Sequence, residues 1–98
     1  MEIKFQKAAK LKEKPDAHDL GFGKYVTDYM FVMDYDKENG WHDARIVPYD
    51  EFMLDPRCVT LHYGSETFEG LKAYRTDDGR ILLFRPEANA VRMQNSND

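Results

Sequence analysis

Apolar residues gather in a few separated runs, and the period changes along the chain. Residues 29–35 (Tyr-Met-Phe-Val-Met-Asp-Tyr) are nearly continuous in strand formers, which predicts a strand buried on both faces. Asn39-Gly40 in the polar break that follows is a hairpin-type turn signal. Residues 41–47 form the returning strand, ended by Pro48. Further on, Asp77-Asp78-Gly79 separates residues 71–76 from residues 80–84. Glycine supplies the positive φ of a tight turn, so a second hairpin is predicted there. The period then becomes helical: Ala88, Val91 and Asn95 share a face, Pro86 suits a first helical position, and Glu87 complements the helix dipole. The spacing predicts a helix over 86–97 with no glycine stop before Asp98, as if cut short.

Between these runs the signals are weaker. Residues 1–20 interleave Lys4, Lys7, Lys10, Lys12 and Lys14 with Glu2, Glu13, Asp16 and Asp19, which reads as a solvated first strand followed by a mobile linker rather than a polyanion-binding arm. Gly21-Phe22-Gly23 sets one large ring between two permissive backbone positions, a loop that presents an aromatic. Residues 50–58 read as a loop with at most one helical turn. Residues 67–74 mix helix and strand signals; a short helical turn is placed at 65–68 and a strand at 71–75.

The length of 98 residues allows one domain near the lower limit for a self-sufficient core. With 42% hydrophobic and 13% aromatic residues the chain reads as globular, and a formal charge of −4 offers no electrostatic reason to expect nucleic acid. The single Cys58 forbids an internal disulfide, favours a reducing compartment, and reads as a small buried hydrophobe. No apolar run reaches the roughly 20 residues of a membrane helix, and the N-terminus lacks a secretory apolar region. The expectation is a cytoplasmic chain with no membrane partner.

Candidate chemistry is sparse. His18, His42 and His62 lie far apart without ligand spacing, so no metal site is expected. No phosphate-cradling glycine motif is present. Arg92 has Ala88, Asn89, Asn95 and Ser96 at helical neighbour positions, and none is a carboxylate. It is either solvated or meets an anion from elsewhere, and a guanidinium fork matches phosphate. Tyr63, Phe68 and Tyr74 read as core or as pocket wall. Gly64 and Gly70 bracket Phe68 and allow a close approach. Glu69 reads equally as a local partner or a chemical group.

Leu61-His62-Tyr63-Gly64, Phe68-Glu69-Gly70-Leu71-Lys72-Ala73-Tyr74-Arg75 and Leu83-Phe84-Arg85-Pro86-Glu87-Ala88-Asn89-Ala90-Val91-Arg92-Met93 together resemble the branched-chain amino acid aminotransferases, pyridoxal-phosphate enzymes of fold type IV. Phe22-Gly23-Lys24, Thr27-Asp28-Tyr29-Met30, Gly40-Trp41 and Ile46-Val47-Pro48 extend the resemblance from about residue 18 to 98. It implies an α+β fold, a two-layer α/β sandwich with a mainly antiparallel sheet and flanking helices. Residues 1–20 would be an N-terminal arm with the first strand, and residues 21–98 an incomplete small N-terminal domain without its large domain. The implied activity is amino transfer from leucine, isoleucine or valine to 2-oxoglutarate, giving glutamate, in a ping-pong cycle. By matching position Arg92 would bind the phosphate of pyridoxal 5'-phosphate, and Phe22, Tyr63, Phe68 and Gly70 would border the substrate. Tyr63 would reach into a neighbouring subunit, which implies a homodimer. The family anchors its cofactor through a lysine in the large domain. No lysine here matches it, and Lys72 beside the Phe-Glu-Gly turn does not take its place, so the 98-residue chain is expected to be inactive alone. D-amino acid aminotransferases and aminodeoxychorismate lyases are the nearest rivals, and a non-catalytic binding or dimerisation module is the rival from another class.

Overall fold

A computed structural model describes residues 1–98. The chain forms two units, Met1–Met53 and Leu54–Asp98. Strands and helices are both present, the α+β content expected; the three-stranded sheet is mixed, with one parallel and one antiparallel pairing, and the two-stranded sheet is antiparallel.

The first unit is a three-stranded sheet in the order β1-β3-β2. Strands β2 (Tyr29–Asp36) and β3 (Gly40–Pro48) pair antiparallel from Tyr29↔Pro48 to Asp36↔Gly40. Their turn is fixed by the Asp36 carboxylate, which accepts hydrogen bonds from the backbone N–H of Glu38 at 2.9 Å and Asn39 at 2.7 Å. Gly40 enters β3 at φ 64°, a left-handed conformation that costs glycine little. Met33 faces both Asp43 and Ala44, and Asp43 at φ 52° makes the bulge. Strand β1 (Lys4–Phe5) adds parallel to the free edge of β3. The expected linker after it is tied down: the Tyr29 hydroxyl accepts from Ala8 N–H at 3.0 Å, and Asp28 accepts from Lys12 N–H at 2.6 Å and pairs with Lys14.

Strand β2 differs from its expectation of burial on both faces. None of its residues is fully buried, and Phe31 and Tyr35 are exposed. The apolar run encoded a strand correctly, but no second layer of this unit lies over it. A cavity of about 520 Å³ opens between the arm and the start of β2, lined by Lys12, Lys14, Leu20, Tyr25, Val26 and Asp28 among others. None of the expected site residues lines it.

The second unit holds α1 (Val59–Tyr63), the hairpin β4 (Ala73–Arg75) and β5 (Ile81–Leu83), and α2 (Pro86–Asn97). The hairpin register Ala73↔Leu83 to Arg75↔Ile81 lies inside the expected ranges, with Gly79 at φ 85° in its turn. Helix α2 matches its expected bounds, with Pro86 in the first turn. The short helix does not: it occupies Val59–Tyr63 rather than 65–68, and Gly64 ends it in the left-handed conformation with its N–H bonded to Val59 O. Cys58 stands at the start of α1 and is half-buried rather than fully buried.

Ala44 is the one buried hydrophobic residue of the chain. Neither helix buries any residue. The elements of each unit are too few and too short to enclose their own apolar side chains.

Candidate functional site

The second unit brings together the Phe68-Glu69-Gly70 turn and one side of α2. Asn89 and Arg92 are three residues apart, so both project toward the same side of the helix. Asn89 Nδ2 donates to Gly70 O at 2.9 Å and to Glu69 Oε1 at 3.3 Å. The Nε–Nη2 edge of Arg92 grips both oxygens of the Glu69 carboxylate: Nε donates to Oε1 at 2.5 Å and to Oε2 at 3.0 Å, while Nη2 donates to Oε2 at 2.7 Å and also pairs closely with Oε1. At the far end of the helix, Thr67 Oγ1 donates to Asn97 Oδ1 at 2.6 Å. Polar side chains therefore fasten the 67–70 segment along α2, which explains how a helix with no buried residue is held.

The missing partner of Arg92 is thus a carboxylate 23 positions earlier in sequence. Searching helix neighbours alone could not find it, because a turn preceding the hairpin delivers it. The pair is asymmetric: 67% of the Arg92 side chain is exposed, against 8% of Glu69. The covering of Glu69 comes from its immediate neighbours, not from depth in a core. Its carboxyl is held below the ordinary value, first by hydrogen bonding from Arg92 and then by the guanidinium charge, and Arg92 is correspondingly raised. A guanidinium carries five N–H donors, and the pair uses the Nε–Nη2 edge. Nη1 donates to no protein atom and, with the outward N–H of Nη2, forms a free second edge. Two parallel N–H donors suit a phosphate.

Phe68 is exposed, and its ring tip lies 3.5 Å from the place a Gly70 side-chain carbon would occupy. A side-chain carbon at Gly70 would make an ordinary packing contact with that ring, and the Gly70 carbonyl is engaged by Asn89. Tyr63, the last residue of α1, is also exposed. Gly64 ends α1 in the left-handed conformation, and a side-chain carbon there would meet nothing within 4 Å. Phe22 belongs to the first unit, fully exposed between Gly21 at φ 64° and Gly23 at φ 67°, as a loop presenting a ring requires. Asn89 was not foreseen as a site residue; its signal was a polar side chain three positions before Arg92, where a buried helix face would place an apolar one.

No protein-family profile matches the chain. Individual relatives do. Over 94 residues it is 58% identical to Branched-chain-amino-acid transaminase 1 of Bacillus subtilis, covering 96% of this chain and 26% of that protein. Over 96 residues it is 49% identical to Branched-chain-amino-acid aminotransferase 2 of the same organism, covering 98% of this chain and 26% of that one. The Branched-chain-amino-acid aminotransferase of Mycolicibacterium smegmatis is 59% identical over 76 residues, covering 78% of this chain and 21% of its own length. The chain spans about a quarter of the length of the curated relatives it matches. With identities of 49 to 59% across most of its residues, the chain is similar to a fifth to a quarter of the length of each of these branched-chain-amino-acid aminotransferases.

Proposed function

We propose that this sequence is the small N-terminal domain of a branched-chain amino acid aminotransferase of fold type IV, with residues 21–98 forming that domain behind an N-terminal arm. The parent enzyme transfers the amino group of leucine, isoleucine or valine to 2-oxoglutarate through pyridoxal 5'-phosphate, and acts as a cytoplasmic homodimer. The observation that carries the reading is the 58% identity to a named transaminase over nearly the whole chain. The free edge of Arg92 supports it, because it leaves paired donors for a phosphate beside the Phe68-Glu69-Gly70 turn.

In this reading Arg92 holds the cofactor phosphate, and Phe68, Gly70, Phe22 and Tyr63 border the substrate, Tyr63 from the neighbouring subunit. The cofactor, when bound, supplies the electron sink that makes amino transfer possible. The residues of this chain bind and orient. Exposed apolar rings select an aliphatic side chain by removing it from water, at roughly 0.8 kcal/mol per methylene. The lysine that anchors the cofactor lies in the remaining three quarters of the parent.

The test is an amino-transfer assay on the protein at the full length of its relatives. Leucine, isoleucine and valine should each yield glutamate from 2-oxoglutarate, and D-alanine should not. Turnover of D-alanine without turnover of leucine would place the protein elsewhere in the fold type.

A further inference from the structure

An exposed arginine normally samples many side-chain torsions, and an anion that binds it must first order it. Arg92 is exposed yet held on one side by the nearly covered Glu69. The carboxylate is itself fixed, since Asn89 Nδ2 bridges Glu69 Oε1 at 3.3 Å and Gly70 O at 2.9 Å. The clamp consumes the Nε–Nη2 edge and leaves the Nη1 edge directed away from the carboxylate. We infer that Glu69 is a positioning residue that fixes the Arg92 guanidinium so that its free edge meets the phosphate of a bound ligand already aligned. This rests on the reading of Arg92 as the phosphate holder.

The rival role for Glu69 is a plain counter-charge that weakens anion binding by cancelling the guanidinium. The two differ in sign. A counter-charge raises phosphate affinity when removed, whereas a positioning residue lowers it. The geometry favours positioning, because Glu69 takes the Nε–Nη2 edge and leaves Nη1, on the adjacent edge, without a protein partner.

The experiment compares equilibrium binding of pyridoxal phosphate and of pyridoxal, which lacks the phosphate, to the protein at the full length of its relatives. The readout is the ratio of the two affinities, which general damage to the site does not move because it weakens both ligands alike. Arg92→Ala should abolish the preference for the phosphorylated form. Glu69→Ala should lower it about tenfold while pyridoxal affinity stays within about twofold. In the Arg92→Ala background, Glu69→Ala should change the ratio no further. Should Glu69→Ala fail to fold, Glu69→Gln keeps the size and the Asn89 contact but loses the two-point charged grip, and should lower the ratio in the same direction. An unchanged or increased ratio in the Glu69 variants, with Arg92→Ala still abolishing the preference, overturns the positioning role and leaves the phosphate reading standing. An unchanged ratio in Arg92→Ala overturns both.

Discussion

Arg92 and Glu69 show how a charged pair in an open unit divides its labour. The arginine keeps most of its surface in water, so the attraction is screened and is a weak source of stability. Its consequence is orientation and a shifted titration. Because the folded-state value of Glu69 lies below the ordinary 4.5, the pair contributes fully above the unfolded value and is lost as pH falls through the lowered folded one. The Glu69 carboxyl resonance should therefore titrate below 4.5 by NMR, and return to the ordinary range in Arg92→Gln. A normal midpoint in the unmodified protein would remove the clamp from the solution state. At this scale the sequence was informative about which residues were unusual and silent about how they were satisfied. The absence of a carboxylate near Arg92 on the helix was legible. The partner was not, because a contact across 23 positions depends on where the turn is carried.

Whole elements were more legible where a turn residue and an apolar run agreed. Asn39-Gly40 between two strand-forming runs, and Asp77-Asp78-Gly79 between two more, each gave a hairpin, and Pro86 began the long helix. Helix α1 escaped because Val59 and Thr60 are β-branched and argue for strand. Its clearest signal was Gly64, which reads as a helix stop once its φ of 60° is known. The same position yields a prediction about the element. A side-chain carbon at Gly64 would meet nothing within 4 Å, so Gly64→Ala carries only the conformational penalty of the left-handed region, about 1 kcal/mol. Leu61 N–H is bonded to Cys58 O and Ser65 N–H to Val59 O, so these amides report whether α1 closes. Their hydrogen exchange should accelerate about fivefold in Gly64→Ala if they exchange through local opening. Unchanged rates would mean that α1 is not held by its glycine cap.

Across the molecule, the composition was a good guide to the need for burial and a poor guide to its source. An apolar content of 42% fits a globular chain, yet Ala44 alone is buried, and Phe22, Met53, Tyr63, Phe68 and Phe84 are largely exposed. The accessible surface is 9522 Å², against roughly 7,000 Å² for two separate compact bodies sharing this mass. Hydrophobic burial is the main term opposing chain entropy, and each unit leaves most of it unclaimed. Large exposed apolar surface calls for a covering partner, which the proposed parent supplies from the three quarters of its length outside this chain. The 98-residue polypeptide expressed alone should therefore melt without a cooperative transition and bind a hydrophobic dye strongly. It should also develop no stoichiometric visible band with pyridoxal phosphate, since the anchoring lysine lies elsewhere in the proposed enzyme. A sharp thermal transition with low dye binding would show that the units close on themselves, and a stoichiometric band would place a reactive lysine within these residues.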